Sequence, residues 1–292
     1  MKLKNGFFTA LGTPIDDSGN LVEESLVKHI ESQIEAGASG LLLMGSMGIE
    51  AYLKNSTFKK AAEVGAHANR GRLPIFVGAM DNSIARVMEK IDMLAGLDID
   101  GVVLTTPFYA TLTQGEIVNW FSSIADKSPF PIYLYDLAVI TKSKITYPVI
   151  SELISHENIK GIKTVDWELI QTIKRRHPEA DFSCLYSGLD NFDYANMRGI
   201  TLNLDGMFCC MPKTGRAMYD CIEAKDFTGA RVHLDKILYL RDTMISFGLM
   251  QSFTYLMNAL GFEGNFHQDY TLPITDEEKA RLLSLMKEYG EL

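Results

Sequence analysis

The sequence predicts an α/β fold: a closed (β/α)8 TIM barrel followed by a C-terminal helical extension. Three observations lead there. Short apolar runs alternate with longer amphipathic stretches about eight times before Pro212. Most of the runs are apolar on both faces, as in parallel strands covered on both sides. The first strand is not followed by the G-x-G-x-x-G turn that an open, doubly wound sheet usually carries, because "TALGTPIDDSG" lacks it.

The expected strands, in order, are "GFFTAL" (6–11), "GLLLMG" (40–45), "LPIFVGA" (73–79), "GVVLTT" (101–106), "PIYLYD" (131–136), "IKGIKT" (159–164), "FSCLYSG" (182–188) and "DGMFCC" (205–210). Helices between them are expected to begin near Val22, Ser56, Ser83, Gln114, Thr146, Asp166 and Asp190. Ser83 and Asp166 suit N-caps, where a short side-chain oxygen accepts a free backbone N–H. After Pro212 the pattern turns helical. The last helix starts at Thr275, with Glu278 placed to complete a capping box. The expected organisation is a barrel over residues 1–222 and a helical extension over 223–292.

Composition narrows the function. The chain has 292 residues, 47% of them hydrophobic, and a net charge of −9. That is enough apolar material for one large core. No run of Lys and Arg forms a basic stripe, so nucleic acid is excluded as a partner. No stretch is long enough to span a bilayer. The first apolar run, after Lys2 and Lys4, is broken by Gly12, Pro14 and two aspartates, unlike a signal peptide. Cys184, Cys209, Cys210 and Cys221 have no regular spacing and suit reduced thiols of a cytoplasmic protein. The six histidines lack metal-ligand spacing.

In a barrel of this type the active site lies at the C-terminal ends of the strands. Those ends carry Thr9 and Thr13, "GSMG" (45–48), Asp81, "TPFY" (106–109), Tyr135 and Asp136, Lys163, and Ser187 and Gly188. Phe208, from the last expected strand, joins Ser187 and Gly188 as a candidate substrate contact. A lysine at a strand end either reaches out to a carboxylate or stays shielded, where a neutral amine is favoured. A neutral amine condenses with a ketone to a Schiff base. Tyr135, at the equivalent end of the preceding strand, is suited to move the protons that such chemistry needs; as an alternative, it is a core tyrosine. The "GSMG" turn offers a hydroxyl and free N–H groups to a carboxylate, or is an ordinary strand-to-helix turn.

Taken in order, "FFTALGTPIDDSG", "GSMG", "TPFY", "PIYLYD", "IKGIKTV" and "YSGLD" resemble the dihydrodipicolinate synthase/N-acetylneuraminate lyase family over nearly the whole chain. The resemblance implies a class I aldolase or lyase that uses pyruvate and an aldehyde or 2-oxo acid, usually as a homotetramer. It implies Lys163 as the Schiff-base nucleophile and Tyr135 as the acid/base. Ser46 and the Met47 backbone would hold the pyruvate carboxylate, and Tyr109 would reach into a neighbouring subunit's site. No cofactor or metal is implied, since the lysine is itself the electron sink.

Several positions depart from the family pattern. Met47 stands for a Thr, Ile49 for a Glu, Asp136 for an Asn, Ala138 for a Pro and Ile140 for an Arg. That Arg implies a carboxylate on the second substrate, which Ile140 cannot pair. Asp136 and Thr141 then suggest a neutral or hydroxylated aldehyde. A dihydrodipicolinate synthase with another residue in place of the Arg is the alternative within the class. A non-catalytic 2-oxo-acid sensor is the alternative outside it.

Overall fold

The computed structural model describes residues 3–292, so Lys2 of the basic start lies outside the described residues. Eight parallel strands close into a barrel in sequence order: β1 (Gly6–Ala10), β2 (Gly40–Leu43), β3 (Ile75–Gly78), β4 (Gly101–Thr105), β5 (Ile132–Tyr135), β6 (Ile159–Thr164), β7 (Ser183–Tyr186) and β8 (Leu202–Asp205). Closure pairs Gly6 with Leu202 and Thr9 with Asp205. The helices are α1 (Glu23–Glu35), α2 (Asn55–Asn69), α3 (Ile84–Met93), α4 (Gln114–Ala125), α5 (Ala138–Thr141), α6 (Tyr147–Leu153), α7 (Trp167–Arg176), α8 (Phe192–Met197), α9 (Pro212–Glu223), α10 (Phe227–Phe247), α11 (Leu249–Ala259) and α12 (Asp276–Glu288).

The caps follow the local chemistry. Ser83 accepts the Arg86 N–H, and Asp166 accepts the Leu169 N–H at 2.9 Å. Thr275 and Glu278 form a reciprocal capping box. The expected boundary at 222/223 falls at the end of α9, after which α10 folds back along α8 and α9.

Strand alternation divides the apolar residues in two. Phe8, Ala10, Leu42, Phe76, Tyr133, Leu185 and Leu204 fill the barrel interior. The larger set packs between the sheet and the helices. Gly161 is required by this interior: a Cβ there would lie 2.4 Å from the Ser183 carbonyl oxygen and 2.7 Å from the Tyr133 ring. A glycine in a strand often marks such a close approach.

One strand is misplaced by the sequence reading. Of the expected strand 205–210 only Asp205 is extended. β8 is the preceding "LNLD", and Met207–Cys209 form a 3-10 turn. The run is apolar because it is buried beneath helices, and burial alone does not make a strand. The short helix α5 was also not anticipated.

Candidate active site

The site is built from the alternation of β5 and β6. Tyr133 and Tyr135 point into the barrel, as do Gly161 and Lys163, and Tyr135 and Lys163 are register partners. Lys163 is only 5% exposed. Its Nζ lies 3.7 Å from the centroid of the Tyr135 ring, an amine-on-π contact. Lys160, at the other end of the strand, instead pairs with Asp181 at 2.9 Å near the surface.

The Tyr135 hydroxyl lies 3.2 Å from Ser46 Oγ, across the barrel mouth. Ser46 sits in a tight turn after β2. Met44 and Ile49, which bracket it, have φ of 51° and 48°. That region is unfavourable for a β-branched residue, and such strain persists only where surroundings enforce it. Gly48 is held against Met44 and the Leu11 carbonyl, where a Cβ would approach within 2.8 Å. Ser46, Met47, Tyr135, Leu137, Ile140, Thr141, Lys163 and Ser187 all line one cavity of about 570 Å³. That size suits a small-molecule site.

Four expected site residues do not join it. Asp136 points outward, between the sheet and the helices. Its carboxylate accepts from Thr164 Oγ1 at 2.9 Å and from the Ile145 N–H at 3.1 Å, and pairs with Lys144. The reason is the period of two: the residue after an inward Tyr135 faces out. Phe208 is buried in the core against Phe7, Phe192 and Tyr219, because the 3-10 turn directs it away from the cavity. Gly188 lies behind the lining, packed on the Tyr186 hydroxyl. Tyr109 is 92% exposed on its own chain. Its N–H and that of Phe108 both donate to Asn82 Oδ1 at 2.9 Å, which fixes the loop that presents it.

The structure adds residues that the strand-end reading missed. Asp205 lines the cavity at the end of β8, and its Oδ1 accepts the Met207 N–H at 2.8 Å. Burial raises its pKa above the ordinary carboxylate value, with Lys163 and Arg241 opposing. Correct placement of β8 would have revealed it. Glu50 also lines the cavity, bonded to Lys90 at 2.6 Å. Burial pushes its pKa up to about 7, again against the pull of Lys90. Arg241, Ile245, Leu249 and Met250 reach the wall from α10 and α11. Nothing in strand spacing points to them. Arg241 is clamped by both oxygens of Asp190, at 2.7 and 2.9 Å, and by Asp242 at 2.8 Å. These carboxylates raise its pKa further.

The description "Dihydrodipicolinate synthetase family" fits the chain over residues 3–289. The 4-hydroxy-tetrahydrodipicolinate synthase of Acidiphilium cryptum (strain JF-5) is 25% identical over 295 residues, covering 99% of each chain. That of Exiguobacterium sp. (strain ATCC BAA-1283 / AT1b) is 26% identical, covering 98% of each. Among solved structures, dihydrodipicolinate synthase from Thermotoga maritima superposes with a TM-score of 0.90 at 20% identity over all of both chains. A prophage protein of the dihydrodipicolinic acid synthase family from E. coli K12, in complex with pyruvate, gives 0.88 at 20% identity, also over all of both. The chain therefore belongs to the dihydrodipicolinate synthetase family, whose enzymes are class I, Schiff-base aldolases and lyases.

Proposed function

We propose that this protein is a pyruvate-dependent aldolase or lyase that works through a Schiff base on Lys163. The observation that carries this is the buried Lys163 amine against Tyr135, with the Tyr135 hydroxyl bonded to Ser46 at one cavity floor. Lys163 Nζ adds to C2 of pyruvate, and the carbonyl oxygen leaves as water to give an iminium. Loss of a C3 proton gives the enamine. Its C3 bonds to the aldehyde carbon while the aldehyde oxygen takes a proton. Water then hydrolyses the iminium, releasing a 4-hydroxy-2-oxo acid and the free amine. The reverse sequence breaks the bond between C3 and C4. Tyr135 is the proton carrier, and Ser46 orients its hydroxyl.

Ser46 Oγ and the backbone N–H groups of its turn are the carboxylate site for pyruvate. Tyr109 extends from an ordered loop into solvent, which supports the reading that it completes a neighbouring subunit's site in a homotetramer. None of the described helices is long and apolar enough to cross a membrane. Separately, the acidic composition and the four free thiols support a cytoplasmic enzyme.

Dihydrodipicolinate synthesis is the second reading, favoured by the names of the relatives. Against it stands Ile140 on the cavity wall, an aliphatic side chain that cannot pair a semialdehyde carboxylate, while Arg241 on the same wall is held by Asp190 and Asp242. Incubation with pyruvate and borohydride tests the common step: a reduced pyruvyl group on Lys163 is expected. Trapping without turnover would leave a covalent sensor, and absence of trapping would reject the Schiff base.

A further inference from the structure

We propose that the outer half of the cavity selects an uncharged aldehyde with an apolar tail. This rests on the Schiff-base function proposed above and adds the class of its second substrate.

The wall beyond Lys163 is apolar. Leu137, Ile140, Val165, Ile245, Leu249 and Met250 converge there from three separate segments of the chain. Ile140 is 54% exposed, Val165 61% and Ile245 56%. Large aliphatic side chains left in water around one opening gain by covering it with an apolar ligand.

Charge accounting disfavours a second anion beside pyruvate. Among the described residues, Lys163 and Arg241 are the two basic side chains on the wall. Lys163 is the nucleophile. Arg241 is already matched by Asp190 and Asp242, so its fork is not free for a substrate carboxylate. Lys142, the nearest other cation to Ile140 in sequence, donates to the Val139 carbonyl at 2.7 Å and is not on the cavity lining, and Lys144 is held between Asp136 and Asp166. The same wall carries Asp205 and Glu50. Glu50 is itself paired with Lys90 at 2.6 Å, so an entering carboxylate meets committed cations and, in Asp205, a further carboxyl group.

Hydroxyl recognition is also poorly served. The expectation of a hydroxylated aldehyde relied on Asp136 and Thr141. Asp136 is outside the cavity, and Thr141 Oγ1 is aimed at the Leu137 and Ser143 carbonyls. Tyr52, Thr105, Ser187, Asp205 and Gln268 remain on the lining, but none of them belongs to the apolar wall. A polyhydroxylated chain laid along Leu137, Ile140, Val165 and Ile245 would exchange water hydrogen bonds for aliphatic contacts, which is unfavourable.

The test is pyruvate consumption with four aldehydes: benzaldehyde, butanal, glyceraldehyde and aspartate semialdehyde. The kcat/KM for benzaldehyde or butanal should exceed those of the other two by about tenfold or more, the discrimination a small change in an apolar pocket supplies. Equal or better use of glyceraldehyde or the semialdehyde overturns the inference. In Val165→Ser and Ile245→Ser, the KM for the preferred apolar aldehyde should rise about tenfold. An unchanged KM in both variants also overturns it. Borohydride trapping with pyruvate is read in the same preparations. Trapping at Lys163 with the wrong aldehyde preference sinks this inference alone, whereas trapping with no aldehyde consumed leaves a covalent sensor and sinks the aldolase reading with it. Failure to trap sinks the proposed function and this inference with it.

Discussion

Lys163 and Tyr135 are register partners on adjacent parallel strands, and the lysine amine rests 3.7 Å from the centre of the tyrosine ring. The pair places a nucleophile and a proton carrier on one side of a small ligand. That arrangement makes the first prediction specific. Mass spectrometry after pyruvate and borohydride should locate the adduct on Lys163 and not on Lys160, whose amine is held by Asp181 at the surface. Lys163→Ala should abolish turnover while circular dichroism stays that of the folded barrel. Labelling at Lys160 would reject the assignment.

Tyr135→Phe removes one hydroxyl and keeps the ring that contacts Lys163. The protein should fold normally, since only the 3.2 Å contact to Ser46 is lost. The turnover number should fall by about 10²–10⁴-fold, the usual contribution of a positioned acid/base. A turnover number within error of the wild type would show that another group moves the proton.

Ile140 stands on the exposed rim, where a longer side chain meets little steric resistance. Ile140→Arg should therefore introduce a cation that Asp190 and Asp242 do not already hold. The kcat/KM for aspartate semialdehyde should rise by about tenfold or more, since a charge-assisted bidentate bond contributes at least about 1.4 kcal/mol. No gain in the variant, or efficient dihydrodipicolinate synthesis by the wild type, would show that position 140 does not control the second substrate.

Phe208 separates core from site. It is fully buried among three aromatic rings. Phe208→Ala should cost about 3–5 kcal/mol of stability through lost burial and a cavity. Chemical denaturation measures this. Loss of pyruvate affinity at unchanged stability would restore Phe208 to the site.

His29 makes stability depend on pH. It is fully buried on α1 beside Phe262 and Phe266, and burial pushes its pKa from 6.5 down to about 3. Between those values the unfolded chain binds a proton that the folded chain does not. The stability present above about pH 6.5 is thus lost as pH falls, by up to about 1.4 kcal/mol per unit for this one group. In His29→Leu, the urea midpoint should change less between pH 7 and pH 4 than in the wild type. An identical acid slope in both proteins would exclude His29 as a source.

The strand order, the barrel and the placing of Lys163 and Tyr135 were legible in the sequence alone. The signals are local: buried parallel strands read as apolar runs, and catalytic groups of a barrel sit at the ends of those runs. The same periodicity, followed one residue further, would have turned Asp136 outward. Strand eight was not legible, because the run "MFCC" is as apolar as a strand but is buried as a turn. Only the tertiary structure brought Arg241, Ile245 and Met250 from the helical tail to the cavity wall. Only it showed that Arg241 is already engaged by Asp190, a residue 51 positions away. Spacing along a chain records which face of an element a side chain occupies. Which charges neutralise one another, and which apolar groups close a cavity, depends on how distant elements pack, and that packing is set by the fold as a whole.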